Sequence, residues 1–123
     1  MTARMRVLAL MVVLLLGPLA GCASTPAPVE PLSGRLAGSV SEALDASVRL
    51  LLERGYVVRH ADGDLGRVEA VLARWPGYRI RLQVEPAERG SRIEMTAFQG
   101  GHPLPPALLQ PWLMTLRSRL GAG

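Results

Sequence analysis

The first regular pattern after the N-terminal region is a repeat of apolar residues at every third or fourth position. It comprises Val40, Leu44, Val48, Leu51 and Leu52. This spacing is typical of a helix with one buried stripe. Ser39 and Glu42 have the spacing of a capping box, which marks a helix start, and Gly55 stands where a left-handed glycine ends a helix. The pattern predicts a helix over residues 40–54.

Apolar and polar residues then alternate with a period of two, which is typical of half-buried strands. The alternation is complete over residues 78–85, with shorter β-prone runs on either side. Trp75-Pro76-Gly77 is a tight connection, and residues 86–90 form a hairpin loop. The predicted strands cover residues 56–60, 67–74, 78–85 and 93–97. Because the loops between them are short, we expect an antiparallel meander.

A second helical repeat follows a proline-rich link. It comprises Leu109, Trp112, Leu113, Leu116 and Leu120. Pro111 suits the first helical position, and Gly121 ends the helix. The order of elements is α-β-β-β-β-α, an α+β fold. Since each helix has one apolar stripe and the sheet has one apolar face, we expect a two-layer sandwich: a four-stranded antiparallel meander sheet with two helices on one face.

The N-terminal region has the three parts of a secretory signal. Arg4 and Arg6 precede an unbroken apolar run over residues 7–16, and Gly17-Pro18 follows it. A run of this length fits a signal peptide and is shorter than the roughly 20 residues that span a bilayer as a helix. Residues 1–21 are therefore predicted to be a cleaved leader.

Leu19-Ala20-Gly21-Cys22 closes that leader and resembles the lipobox of bacterial lipoproteins. The resemblance implies cleavage between Gly21 and Cys22, a diacylglyceryl thioether on Cys22, and acylation of the freed amine. Two or three acyl chains make such attachment effectively permanent. Ala23 replaces the aspartate that would favour the inner membrane, so the resemblance implies the periplasmic leaflet of the outer membrane. The alternative is an ordinary signal peptide with an incidental cysteine.

The remaining chain is predicted to divide into a tether and one domain. Residues 22–35 carry three prolines, which favour an extended, semi-rigid spacer; the alternative is a proline-rich ligand for a partner. Residues 36–123 form the small periplasmic domain. Cys22 is the only cysteine, so its acylation leaves no thiol for a disulfide or for catalysis.

Charge and motifs exclude several classes of function. The whole chain has a formal net charge of +4, and removal of the two leader arginines lowers it to +2. Without a basic run or a set of stacking aromatics, the sequence does not indicate nucleic-acid binding. Neither a nucleophile motif nor a phosphate-binding loop occurs, so we expect no catalytic residues and no cofactor.

Two histidines and a pair of aspartates are candidate metal ligands. His60 and His102 are isolated from any cysteine or second histidine at ligand spacing. Asp62 and Asp64, with Glu69, could suggest a calcium loop, but the ligand spacing is absent and Asp-Gly is a common hairpin turn. The sequence therefore predicts a turn and no metal site.

One face of the predicted sheet carries a candidate binding surface. The expected core face holds Val68, Ile80, Leu82, Val84, Ile93 and Met95. The opposite face then shows Arg79, Arg81 and Arg92, whose guanidinium groups can pair bidentately with carboxylate or phosphate. Two interpretations stay open: a docking face for an acidic patch of an envelope protein or for anionic lipid, and a solvated face with weak ion pairs.

The segment 39–96 also resembles a known domain type. A helix, Arg54-Gly55-Tyr56, the run Asp62-Gly63-Asp64-Leu65-Gly66-Arg67 and a strand pair are similar to the helix-grip-like domains of small proteobacterial lipoproteins, the BamC-like proteins among them. The leading hypothesis is an accessory or scaffolding binding module of an envelope complex. The alternatives are a lipoprotein that binds a small molecule or lipid between helices and sheet, and an enzyme.

Overall fold

The computed structural model describes residues 30–121, which form an α+β domain with a largely antiparallel sheet and two helices. The elements are β1 (Leu32–Leu36), α1 (Val40–Glu53), β2 (Val57–Asp62), β3 (Arg67–Leu72), β4 (Tyr78–Pro86), β5 (Ser91–Gln99), β6 (His102–Pro103), a short 3-10 helix (Pro106–Leu109) and α2 (Gln110–Leu120). The predicted leader, the predicted lipobox with Cys22 and most of the predicted tether lie outside the described residues.

The ends of α1 confirm the predicted helix to within one residue. The Ser39 hydroxyl accepts a hydrogen bond of 3.2 Å from the Glu42 N–H. At the other end Gly55 has a φ of +83°, and the Tyr56 N–H donates to the Leu51 carbonyl oxygen. This hydrogen bond runs from a residue beyond the helix end back to the last turn. It satisfies a carbonyl oxygen that the helix itself leaves unpaired. Local sequence signals therefore fix both ends of α1.

The strands lie in the order β1-β5-β4-β3-β2, with β6 also beside β5. The predicted meander is present as β2 to β5, but the predicted count of four strands is wrong. β1 and β6 pair with the edge of β5 that the meander leaves free. The predicted tether boundary at residue 35 is wrong for the same reason, because Leu32–Leu36 belongs to the sheet.

The short strand β1 packs closely against α2, which helps to keep it in the sheet. Gly34 of β1 lies opposite Ile93, and a Cβ atom built on it would come within 2.6 Å of the Leu113 side chain. Leu113 therefore fills the space that a side chain at residue 34 would occupy. The Arg117 side chain donates to the Arg35 carbonyl oxygen over 3.1 Å, which ties α2 to the same strand.

The core lies between one face of the sheet and the two helices. All six strand residues predicted for the core face are buried, which confirms the orientation of the strands. They form one cluster with Leu36 and with helix residues. The buried helix residues are Ala43, Leu44, Ser47, Leu50, Leu51, Leu113 and Leu116.

The two ends of the sheet differ in their relation to the N-terminal chain. We call the end at which β3 stops and β4 starts, at Leu72 and Tyr78, the proximal end, and the end at Pro86 and Ser91 the distal end. Leu32 is opposite Met95, so the chain before Leu32 leads toward the proximal end. No helix within residues 30–121 combines the length and apolarity needed to cross a membrane.

Candidate functional site

The face of the sheet opposite the helices, here the uncovered face, bears polar side chains in rows across the strands. Arg81 of β4 lies between Glu69 of β3 and Thr96 of β5. Side chains directly opposite each other in an antiparallel pair are close enough to interact. The other residues of the uncovered face on β3, β4 and β5 are Arg67, Val71, Arg79, Gln83, Glu85, Arg92, Glu94 and Phe98.

Two of the predicted arginines form exposed ion pairs. The Arg81 Nε lies 2.9 Å from Glu69 Oε2, and the Arg92 Nη2 lies 3.2 Å from Glu94 Oε1. More than half of each arginine side chain is exposed. Ion pairs in this setting typically contribute between about 0 and 1 kcal/mol. A second carboxylate can therefore compete for either guanidinium at little cost.

Phe98 organises the other part of the face. The Arg79 Cζ lies 4.7 Å and the Arg81 Cζ 5.3 Å from the centroid of its ring. Such contacts are worth roughly 0.5–1 kcal/mol at exposed sites. Within the described residues Arg79 takes part in none of the three ion pairs, and its buried Nε has no hydrogen-bond partner there. The Phe98 ring therefore contacts both guanidinium groups.

The structure brings only two of the three predicted arginines together. Arg92 is opposite Glu85, six residues along β4 from Arg79, which corresponds to roughly 20 Å. Arg35 of β1 lies opposite Arg92 and was missed in the sequence because its strand was missed. The candidate face is thus an extended surface with a basic position near each end.

A depression of about 470 Å³ lies between these two positions. Its lining combines the apolar residues Pro31, Val68 and Leu82 with seven polar ones: His60, Arg67, Glu69, Arg81, Gln83, Glu94 and Thr96. The polar residues include both hydrogen-bond donors and acceptors, so the lining can bind a polar chain segment. His60, a candidate metal ligand in the sequence, is part of this lining. Within residues 30–121, no three His, Cys, Asp or Glu side chains are grouped as metal ligands.

The predicted turn at Asp62 is confirmed. Its Oδ1 accepts hydrogen bonds from the backbone N–H groups of Asp64 and Leu65, over 3.0 and 3.1 Å. Asparagine and aspartate commonly stabilise turns in this way. The Asp62 carboxylate therefore supports the β2–β3 connection.

A second depression, of about 410 Å³, lies where α1 meets the β2–β3 hairpin. Val40, Leu44 and Val48 contribute its apolar side, and Asp45 and Asp62 its polar side. A small molecule or lipid held between helix and sheet would bind in this depression.

The helical side of the domain has its own charged and aromatic contacts. Arg119 donates two hydrogen bonds to the Glu53 carboxylate, and these bonds hold the pKa of Glu53 below its ordinary value. Burial raises the pKa of Tyr56, and the nearby Tyr78 adds to that rise. The Tyr56 ring packs edge-on against Trp112 at 5.5 Å. These groups lie away from the uncovered face, and Arg119 is a suitable control for it.

Comparison with known proteins gives no family for the chain. No protein-family model matches it, and no curated protein matches it in sequence.

Proposed function

We propose that the chain is a lipid-anchored protein of the cell envelope, held in the periplasmic leaflet of the outer membrane through Cys22. It serves there as an accessory or scaffolding binding module whose uncovered face docks onto an acidic surface of an envelope protein. The lipobox and leader support the anchor. The pair of guanidinium groups on Phe98 supports the docking.

The arrangement on Phe98 favours binding because it restrains both side chains before a partner arrives. Arginine carries about 2 kcal/mol of rotamer entropy, and part of this cost is already met when the guanidinium rests on the ring. Arg79 offers donors that no carboxylate among residues 30–121 occupies. A partner carboxylate can therefore bind Arg79 directly and share Arg81 with Glu69.

The spacing of the basic positions indicates the size of the partner. Arg79 and Arg92 lie roughly 20 Å apart along the strands, farther than one small ligand reaches. A protein surface with two acidic positions at this distance can engage both. The depression between them would then receive polar side chains or backbone of the same partner. This supports a protein partner over a small molecule at the uncovered face.

The alternative function is binding of a small or lipidic molecule in the depression between α1 and the β2–β3 hairpin. Its apolar side, formed by Val40, Leu44 and Val48, favours an acyl or aromatic group. A ligand at a hundred times its Kd would stabilise the fold by about 2.7 kcal/mol. A rise in Tm with added envelope lipids would favour this function, whereas co-purification of a protein favours docking.

The anchor is tested by substitution at two neighbouring positions. We expect Cys22→Ser to abolish incorporation of labelled palmitate and to leave uncleaved precursor, because the thiol is the acceptor of the lipid. Ala23→Asp is the matched variant: it should keep the palmitate and move the protein from the outer-membrane to the inner-membrane fraction. Recovery of the wild-type protein in the soluble periplasm would contradict the anchor.

Docking is tested by charge reversal at two ion-paired arginines. We expect Arg81→Glu to lower the amount of co-purified partner about tenfold, which corresponds to about 1.4 kcal/mol. Arg119→Glu also breaks an exposed ion pair, but on the helical side, and should leave the partner bound. Equal losses in both variants would point to a general loss of stability instead.

Photoreactive residues locate the contact in intact cells. We expect adducts from positions 79, 81 and 92 and none from positions 45 and 49, which are exposed on α1. Adducts from α1 alone would overturn the uncovered face as the docking surface. Absence of adducts at all five positions would indicate that the three arginines belong to a solvated face without a docking partner.

A further inference from the structure

The connection between β3 and β4 carries the most exposed large apolar side chain of the described residues. The Trp75 side chain is 96 % exposed, whereas Trp112 packs against Tyr56. The turn beneath Trp75 is held in place: the Gly77 N–H donates to the Arg74 carbonyl oxygen, and the Gly77 carbonyl oxygen accepts from the Gly100 N–H. A hydrogen-bonded turn thus presents an indole ring to the surroundings.

Trp75 lies at the proximal end, toward which the N-terminal chain leads. Ten residue steps separate Cys22 from Leu32, and a fully extended chain of this length spans at most about 35 Å. Leu32 pairs with Met95, midway along β5, and the chain before it leaves β1 in the direction of the proximal end. An anchor at Cys22 therefore favours the proximal end as the one that faces the bilayer.

The side chains around Trp75 suit the headgroup region of a bilayer. Tryptophan is enriched at membrane–water interfaces, since its ring is largely apolar and its N–H is polar. Arg74 precedes it, and Arg79 lines a hollow of about 280 Å³ together with Pro76 and Gly77. Neither arginine forms an ion pair within residues 30–121. Arg74 is therefore free to pair with a lipid phosphate, whereas Arg79 packs on Phe98.

We propose that the proximal end rests on the phospholipid surface, with the Trp75 ring at headgroup depth and with Arg74 beside lipid phosphates. The inference rests on the proposed anchor at Cys22. Contact at this end sets the strands upright on the bilayer, so the uncovered face points sideways along the membrane. A membrane-embedded partner could then meet it without bending of the tether.

The test uses the lipidated protein, purified from membranes and reconstituted into vesicles of phosphatidylethanolamine and phosphatidylglycerol. Three proteins are compared: wild type, Trp75→Phe, and Trp75→Phe combined with Glu88→Trp. Glu88 lies in the exposed loop at the distal end, so the third protein moves the reporter to the other end. Trp112 is common to all three and cancels in the comparison. The readout is loss of tryptophan fluorescence with brominated phospholipids.

We expect wild-type fluorescence to fall and to shift to shorter wavelength. The loss should disappear in Trp75→Phe and should not return with Glu88→Trp. Proteins that float with the vesicles but show no Trp75 quenching would overturn the membrane contact and leave the anchor intact. A protein adduct from position 75 in cells would then indicate a protein partner at this end. Failure of the wild-type protein to float would overturn both proposals.

Discussion

Replacing Leu82 by alanine is expected to lower the free energy of unfolding by about 2–5 kcal/mol. Leu82 is 4 % exposed and lies on β4 between Val68 and Met95, in the middle of the sheet under the helices. Removal of its side chain leaves a cavity that the neighbouring residues on β3 and β5, held in place by strand pairing, cannot fully close. A urea titration followed by circular dichroism measures the loss.

Leu108 provides the control for this substitution. Its side chain is 59 % exposed in the 3-10 helix, so Leu108→Ala should change the free energy of unfolding by less than about 0.5 kcal/mol. If both variants lost the same stability, Leu82 would not be part of a packed core. The orientation of β4, and with it the uncovered face, would then be wrong.

The second large effect is expected at Gly66, where β3 begins. Gly66 has a φ of +66°, and a Cβ atom there would lie 2.1 Å from the backbone oxygen of Val84. The Gly66 carbonyl oxygen also accepts from the Val84 N–H at 2.7 Å. We expect Gly66→Ala to cost about 2–5 kcal/mol, from the left-handed conformation and from the forced shift of β4.

Two other glycines separate the causes of that loss. Gly77 has a φ of +82° but open space around its Cβ position, so Gly77→Ala should cost about 1–2 kcal/mol from conformation alone. Gly63 has open space and no positive φ, so Gly63→Ala should be neutral or stabilising by up to about 1 kcal/mol. A cost at Gly66 no greater than that at Gly77 would refute the close contact with Val84.

Where the chain carries its own local signal, the sequence predicted the fold to within a residue or two. Ser39 and Gly55 mark the ends of α1 because capping depends on neighbouring residues alone. The predicted strand over residues 78–85 corresponds to Tyr78–Pro86, since complete alternation needs no knowledge of its partners. Pro111, predicted at the first helical position, lies one residue later, because α2 already begins at Gln110.

The strand β1 was not predicted from the sequence, because the residue that completes its apolar pattern lies in another part of the chain. Leu32, Gly34 and Leu36 alternate, but the middle position has no side chain to mark it. The missing apolar group is supplied by Leu113, 79 positions further along the chain. A pattern read along the strand cannot contain a contribution from α2, so the segment resembled a tether.

Prediction of the candidate site met a similar limit. Alternation placed Arg79, Arg81 and Arg92 on one face, because a side chain's face depends only on its position in the strand. Its partners depend on register, which relates distant residues: Arg81 meets Glu69 because β3 and β4 pair in one particular alignment. The stack on Phe98 and the separation of Arg92 therefore could not be obtained from alternation alone.

The position of β1 has a mechanical consequence for an anchored protein. Tension between a tether and a partner bound on the uncovered face would pull β1 along its own axis, toward the proximal end. The β1–β5 hydrogen bonds are perpendicular to that direction, so the load is shared among them instead of breaking them one by one. At its other end β1 leads to Ala37, whose N–H donates to the Gly121 carbonyl oxygen. The strand beside the tether is thus loaded in shear, the arrangement in which a short strand best resists force.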